Sequence, residues 1–369
     1  MLLPGLALRA RGYDIEFIDQ RNDPRIETCD VLWLNRQTDP AVLEIARKVQ
    51  ARGARVIYEF DDNTNAVPHD NPASKVYGTG KPATVTAEWF TREADLVIVS
   101  TPDLAEEYRR YRSGPIAVCY NAMRDEDLAW LRPPEVTGAP KRPGELRIGW
   151  AGSGTHFGDL RLVLKPLRWA LEHYSEARLV LVGLGKPTMP RIGNSADHVR
   201  TLFPAHLLPR VEFAGDTFGS GPKADRFRAG DADHLETLST FRYYELIQAA
   251  DFDLAIAPIV SSTFNRSKSW LKILEYGALG IPSIASNFGP YRQYVYTAKS
   301  TTPPALLAHD DRGWKDALER LLQFPAQRAL YANAALEVAA SEHALSAGVL
   351  EWEHALDVLR SLPMREAVA

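Results

Sequence analysis

The sequence predicts a two-domain α/β protein in which two parallel sheets are each covered by helices. Three observations carry that prediction. Short β-rich runs alternate with helical patterns, a Pro/Gly-rich stretch interrupts the alternation, and the alternation then restarts. With 369 residues, 45% of them hydrophobic, the chain is long enough to bury two cores of ordinary size.

The first unit is read as residues 1–131. A helical pattern from Leu2 to Arg11 leads into strand-like runs at Tyr13–Ile18, Asp30–Asn35, Arg55–Phe60, Asp95–Ser100 and Ile116–Tyr120. Helical stretches near 39–52, 85–93 and 102–112 separate them. The run from Arg132 to Gly144 is rich in Pro and Gly and reads as a linker, 132–145. The second unit, 146–343, shows strands at Leu146–Ala151, Arg178–Val182, Val211–Ala214, Asp253–Ala257 and Ile281–Ala285, followed by helices near 310–323 and 325–340. A last helix near 344–361 belongs to a closing segment, 344–369. The polar segment Asp216 to Thr240 is longer than a typical strand-to-helix connection and reads either as a mobile loop or as a surface insertion.

Composition narrows the partners. With 43 basic and 47 acidic residues the net charge is −4, so duplex DNA is not an expected partner. Arg109, Arg110 and Arg112 form a local basic cluster, a solvated helix end or a contact for anionic lipid or polymer, which leaves peripheral membrane contact open. Cys29 and Cys119 lack disulfide or ligand spacing. No run approaches the ~18 apolar residues of a spanning helix. A soluble, cytoplasmic protein without a metal or cofactor is expected. Two Asp-x-Asp pairs, Asp231/Asp233 and Asp251/Asp253, read as structural, because one lies in the polar segment and the other just before a strand.

Residues 265–285 are the most informative stretch. Ser267 or Ser269 can cap a helix whose free amides attract anions. Lys268, Lys272 and Glu275, spaced four and then three, share one face, expected to point outward, while Leu271, Leu274 and Ala278 share the face that packs on a sheet. Gly280 and Pro282 stop the helix. Phosphate at the helix start and sugar hydroxyls on Glu275 fit this pattern; so does a solvated Lys/Glu face. A second stretch, Gly152-Ser153-Gly154-Thr155-His156, follows a strand and opens a helix, so its amides can approach a pyrophosphate, with Ser153 and Thr155 donating to phosphate oxygens. His156 reads as a phosphate donor or a helix cap. In the first unit Asp61 and Asp62 lie at the carboxyl end of a strand, where open α/β sheets bind ligands, and are candidates to orient an acceptor hydroxyl. His69, in the same loop, is a candidate base.

The run Glu275-Tyr-Gly-Ala-Leu-Gly280-Ile-Pro282-Ser-Ile-Ala-Ser286 resembles the carboxy-terminal-domain signature of retaining glycosyltransferases with the GT-B fold, specifically glycosyltransferase family 4. The resemblance implies two Rossmann-like, doubly wound parallel-sheet domains facing a cleft, with the last helix crossing back to the first domain. It implies a nucleotide-diphosphate sugar on the second domain, its ribose on Glu275 and its diphosphate at the Gly152 turn, and an acceptor glycan, glycolipid or protein on the first. Metal-independent transfer with retention is implied as well. Where the family has a second Glu this chain has Ser267, and where it has an Arg and a Lys near the Gly-rich turn this chain has Ser153 and Asp159. The cationic work then falls to Lys268 or Lys272, with Arg266 in reserve. A nucleotide-sugar epimerase and a non-catalytic nucleotide-sugar or glycan-binding module are the two rival readings. Proteins of this resemblance usually open with an apolar strand before the first helix. Here Leu2–Arg11 comes first, so a form extended by about 15–20 residues, one strand and its turn, is expected to be more stable and more active.

Overall fold

The computed structural model describes residues 2–128, 141–152, 156–184, 199–214 and 239–363. The polar segment that holds Asp231 and Asp233 lies outside the described residues, as do Ser153, Gly154 and Thr155.

The first sheet has strands β1 (Val31–Asn35), β2 (Arg55–Glu59), β3 (Leu96–Val99) and β4 (Ile116–Val118), all parallel and in that order. Parallel neighbours need crossovers, and right-handed crossovers advancing in one direction put their helices on one face. Helices 40–51, 82–93 and 102–109 cover that face, where Tyr58 and Val97 pack with Leu43, Phe90 and Leu104. Alternation along each strand turns Ile57, Leu96 and Ile98 the other way, onto Leu8 of helix 2–10 and onto Val349, Trp352 and Leu359 of helix 345–361. The Trp33 and Trp352 rings lie 5.2 Å apart. The last long helix therefore crosses back and supplies the second layer of the first sheet.

The run Tyr13–Ile18 forms no strand. Its alternating apolar side chains pack on helix 2–10 instead of entering a ladder: a Cβ on Gly5 would stand 2.8 Å from the Phe17 ring, and the Arg9 guanidinium donates to the Ile15 carbonyl at 3.0 Å.

The second sheet holds β5 (Leu146–Ala151), β6 (Ala177–Val182), β7 (Val211–Ala214), β8 (Leu254–Ala257), β9 (Ser283–Ser286) and β10 (Leu306–Ala308), parallel, in the order β10-β9-β8-β5-β6-β7. Strand order reverses between β5 and β8, which opens a crevice at their carboxyl ends. Helices 157–162, 164–173 and 311–323 cover one face through Leu160, Leu167, Trp314 and Leu318. Helices 239–249, 271–278, 289–297 and 325–342 cover the other through Ile247, Ile273, Tyr294 and Val338. Gly149 sits on β5 because the Phe252 ring leaves only 2.1 Å for a Cβ.

The chain passes between the lobes twice, and the two passages pair: Met123 N donates to the His343 carbonyl at 2.8 Å and Leu345 N to the Met123 carbonyl at 2.7 Å. No helix among the described residues is long and apolar enough to cross a membrane.

Candidate functional site

The carboxyl ends of both sheets face one another, and the polypeptide from Ser262 to Ala278 lines the meeting. It is built as two helices with a joint. Ser262 caps helix 263–266 by accepting from Asn265 N at 3.1 Å, whereas helix 271–278 starts behind Trp270 with no side-chain cap. Ser267 and Ser269 therefore do not cap, contrary to the expectation from sequence, because both fall in the joint. Ser267 Oγ donates back to the Thr263 carbonyl at 3.1 Å, and Ser269 Oγ accepts from Asn121 Nδ2 at 2.8 Å. Thr101 Oγ1, from the first lobe, donates to the Ser267 carbonyl at 2.9 Å.

The polar stripe does not face water either. Glu275 is only 8% exposed, Lys272 Nζ lies 4.8 Å from the centroid of the Trp150 ring on β5, and Lys268 Nζ lies 3.1 Å from Asp62 Oδ1. Helix 271–278 is covered on both sides. Opposite the sheet, Gly277 leaves room for the Ala335 carbonyl, which a Cβ would meet at 2.9 Å. Burial has electrostatic consequences. It pulls the Lys272 ammonium down to about 8, with Asp159 and Glu275 partly opposing. It pushes the Glu275 carboxyl up to about 7, against Lys272 and the hydroxyls of Tyr244 and Tyr243. Tyr244 Oη donates to Glu275 Oε1 at 3.3 Å.

Beside Lys272, the turn after β5 begins at Gly152, where a Cβ would lie 3.1 Å from Lys272 Nζ. Glycine thus lets the ammonium reach the turn. His156 occupies the N-cap position of helix 157–162 without making a cap bond; its Nδ1 lies 2.9 Å from Asp159 Oδ2. Burial lowers the imidazole pKa; the hydrogen bond to Asp159 opposes the shift, and the nearby ammoniums of Lys272 and Lys268 add to it. Asp159 explains itself as a tie between loops: its Oδ1 accepts from Val260 N at 2.8 Å and Asn265 Nδ2 at 3.3 Å.

On the first-lobe side, Asp61 and Asp62 follow β2 and share Arg36, which follows β1. The guanidinium reaches Asp61 at 3.2 Å and Asp62 at 3.0 Å. Burial opposes the charge of Asp62, but Lys268 and Arg36 together outweigh it and hold the carboxyl below its ordinary value. For Asp61 burial wins and its pKa is raised, although Arg36 opposes the rise. Tyr108 Oη fixes the turn by donating to the Asp62 carbonyl at 2.8 Å. His69 is exposed; within its loop it is Asp70 that approaches the second lobe, 3.8 Å from a Cβ placed on Gly158.

Sequence reasoning missed Arg36, Trp150, Tyr244 and the interlobe donors Thr101 and Asn121. Arg36 was findable, since it ends a strand at the same edge as Asp61. The other candidates have ordinary duties. Arg109 and Arg110 pair with Glu106 and Glu107 at 3.0 Å, and Arg112 donates to the Thr91 and Ala94 carbonyls. Asp251 and Asp253 pair with Lys141 at 3.5 and 2.7 Å. Arg266 lies on the far side of the joint from Lys272, at a separate pocket. Burial pushes the Cys119 thiol well above its usual range.

No protein-family model matches the sequence, and no curated protein sequence matches it. Solved structures do match the fold. Sucrose-phosphate synthase from Thermosynechococcus elongatus matches over 97% of this chain and 92% of its own, at 16% identity and a TM-score of 0.61. HepE from Anabaena, in complex with UDP and glucose, matches over 92% and 80%, at 14% identity and a TM-score of 0.59. An α,α-trehalose-phosphate synthase (UDP-forming) from Burkholderia xenovorans, in complex with glucose-6-phosphate, matches over 89% and 72%, at 14% identity and a TM-score of 0.56. At such identities the likeness is one of fold, and the fold is GT-B: two parallel α/β lobes with a last helix returning to the first.

Proposed function

We propose that this protein is a glycosyltransferase of family 4 type, moving a sugar from a nucleotide-diphosphate donor to an acceptor hydroxyl with retention and without a metal. One observation carries the reading: Lys272, Glu275 and the Gly152 turn converge at the strand-order switch of the second sheet, and Asp62 of the first lobe meets them through Lys268. Lys272, held near pH 8 without a salt bridge among the described residues, gains an anionic partner when a diphosphate sits at the turn. Glu275 accepts from the ribose hydroxyls. Asp62, held ionised, orients the acceptor, and Lys268 links the lobes around it. UDP in HepE, and the name of the UDP-forming trehalose-phosphate synthase, favour a uridine donor for this chain. Retention rests on the resemblance of residues 275–286. The domain limits 1–131, 132–145, 146–343 and 344–369 are part of the same proposal, as are the roles of Ser153 and Gly154 at the turn and of Ser267 and Ser269 beside the donor.

The test is a thermal-shift screen of nucleotide sugars followed by measurement of nucleoside diphosphate release with and without candidate acceptors. Acceptor-dependent release that survives EDTA supports the proposal. Conversion of the donor sugar without any acceptor supports an epimerase, and binding without turnover supports a non-catalytic module.

A further inference from the structure

A pocket of about 190 Å³ lies apart from the donor site, on the other side of the Ser267–Trp270 joint, between the start of helix 102–109 and helix 289–297. It is smaller than the roughly 300–1,000 Å³ of sites for drug-sized ligands, so its occupant is the size of one sugar ring. Arg266 and Arg292 both line it. Neither guanidinium has a hydrogen-bond or ion-pair partner among the described residues, whereas Arg36, Arg47, Arg55, Arg109 and Arg110 all pair with carboxylates. Both residues are exposed, and two planar cations lining one concavity can together serve a phosphate or carboxylate. The remaining lining suits the rest of a sugar. Tyr296, 70% exposed, and Phe288 line it with aromatic surface, Gln293 offers an amide, and Asp103 of the first lobe offers a hydroxyl acceptor.

We propose that this pocket is a binding site for an anionic sugar, distinct from the donor site, with its phosphate or carboxylate at Arg266 and Arg292 and its ring beside Tyr296. An occupant there touches both lobes.

The test is calorimetry on the full chain saturated with UDP, which fills the donor site, titrating glucose 6-phosphate, glucuronate, glucose and inorganic phosphate in turn. The better of the two anionic sugars should bind at least about tenfold more tightly than glucose, and Arg266→Gln and Arg292→Gln should each remove about tenfold of that affinity, the scale of a charged hydrogen bond. Which anionic sugar wins separates phosphate from carboxylate as the natural group. Lys272→Met, which alters the donor site alone, should leave the anionic sugar's affinity unchanged in titrations without UDP. Equal binding of glucose and both anionic sugars, or insensitivity to both arginine changes, overturns the site. Inorganic phosphate binding as tightly as glucose 6-phosphate overturns the sugar part. If UDP itself does not bind, the proposed function fails, and the arginine variants titrated without UDP still decide the anion site.

Discussion

Replacing Lys272 with Met should make the protein more stable and a poorer binder of nucleoside diphosphate. The gap between 10.5 and about 8 in the Lys272 pKa, at about 1.4 kcal/mol per pH unit, corresponds to about 3.4 kcal/mol of disfavoured charge. The side chain is only half-buried, so solvent returns part of this, and about 1.5 kcal/mol is the expected gain at pH 7. Methionine keeps the stem's contact with Trp150. Losing Lys272 raises the Glu275 carboxyl further, so at pH 7 less of it is ionised than in the wild type. The pH dependence supplies a sign. A lysine with a lowered folded pKa destabilises fully below about 8, and that penalty fades as pH rises from 8 towards 10.5. The variant's advantage, measured by denaturant melts at pH 7 and pH 10, should therefore shrink towards zero at the higher pH. UDP affinity should fall by about tenfold or more at pH 7, since a charged hydrogen bond is lost. A variant less stable at pH 7, or an advantage independent of pH, would refute the burial argument.

Glu275→Gln should retain the Tyr244 contact while weakening nucleoside binding by about tenfold, read by calorimetry with uridine. In the wild type, uridine affinity should rise as pH climbs through about 7 and Glu275 ionises, while the fold loses stability between 4.5 and about 7; the Gln variant should lack both trends. Asp62→Asn should lower kcat by about tenfold or more, yet change stability by under about 1 kcal/mol, because its partners Arg36 and Lys268 are partly solvated; an unchanged kcat would remove Asp62 from the reaction. Gly149→Ala puts a methyl 2.1 Å from the Phe252 ring and should cost about 1–3 kcal/mol, with Phe252→Ala in the same chain costing less than the two single effects combined.

Half-buried strands such as Val31–Asn35 and Ile116–Val118 are legible in the sequence, and those buried on both faces are the plainest. Leu96–Val99 and Leu254–Ala257 are continuous apolar runs, and such runs in alternation with helices admit little besides a parallel sheet. Tyr13–Ile18 has only alternation, which an extended chain packed on a helix produces as well. The three-residue strand Leu306–Ala308 was missed, because its short Leu-Leu-Ala run lacks the β-branched residues that mark Ile116–Val118. At the site, spacing put Lys268, Lys272 and Glu275 on one side but could not say what that side meets, because the answer is Trp150 on one lobe and Asp62 on the other. The capping error at Ser267 and Ser269 has a similar root: a serine before a helical pattern is a cap only if the backbone there is extended, and Ser267 instead closes the preceding turn in a helical conformation.

The return of helix 345–361 to the first sheet sets a schedule for biosynthesis. When Val118 leaves the ribosome, the face carrying Ile57, Leu96 and Ile98 has all its strands but only helix 2–10 to shield it. Roughly 230 residues must follow before Val349 and Trp352 emerge, about 12–46 seconds at 5–20 residues per second. During that interval the nascent first lobe is an open apolar surface, a substrate for chaperones, and its maturation waits on the translation of the last helix.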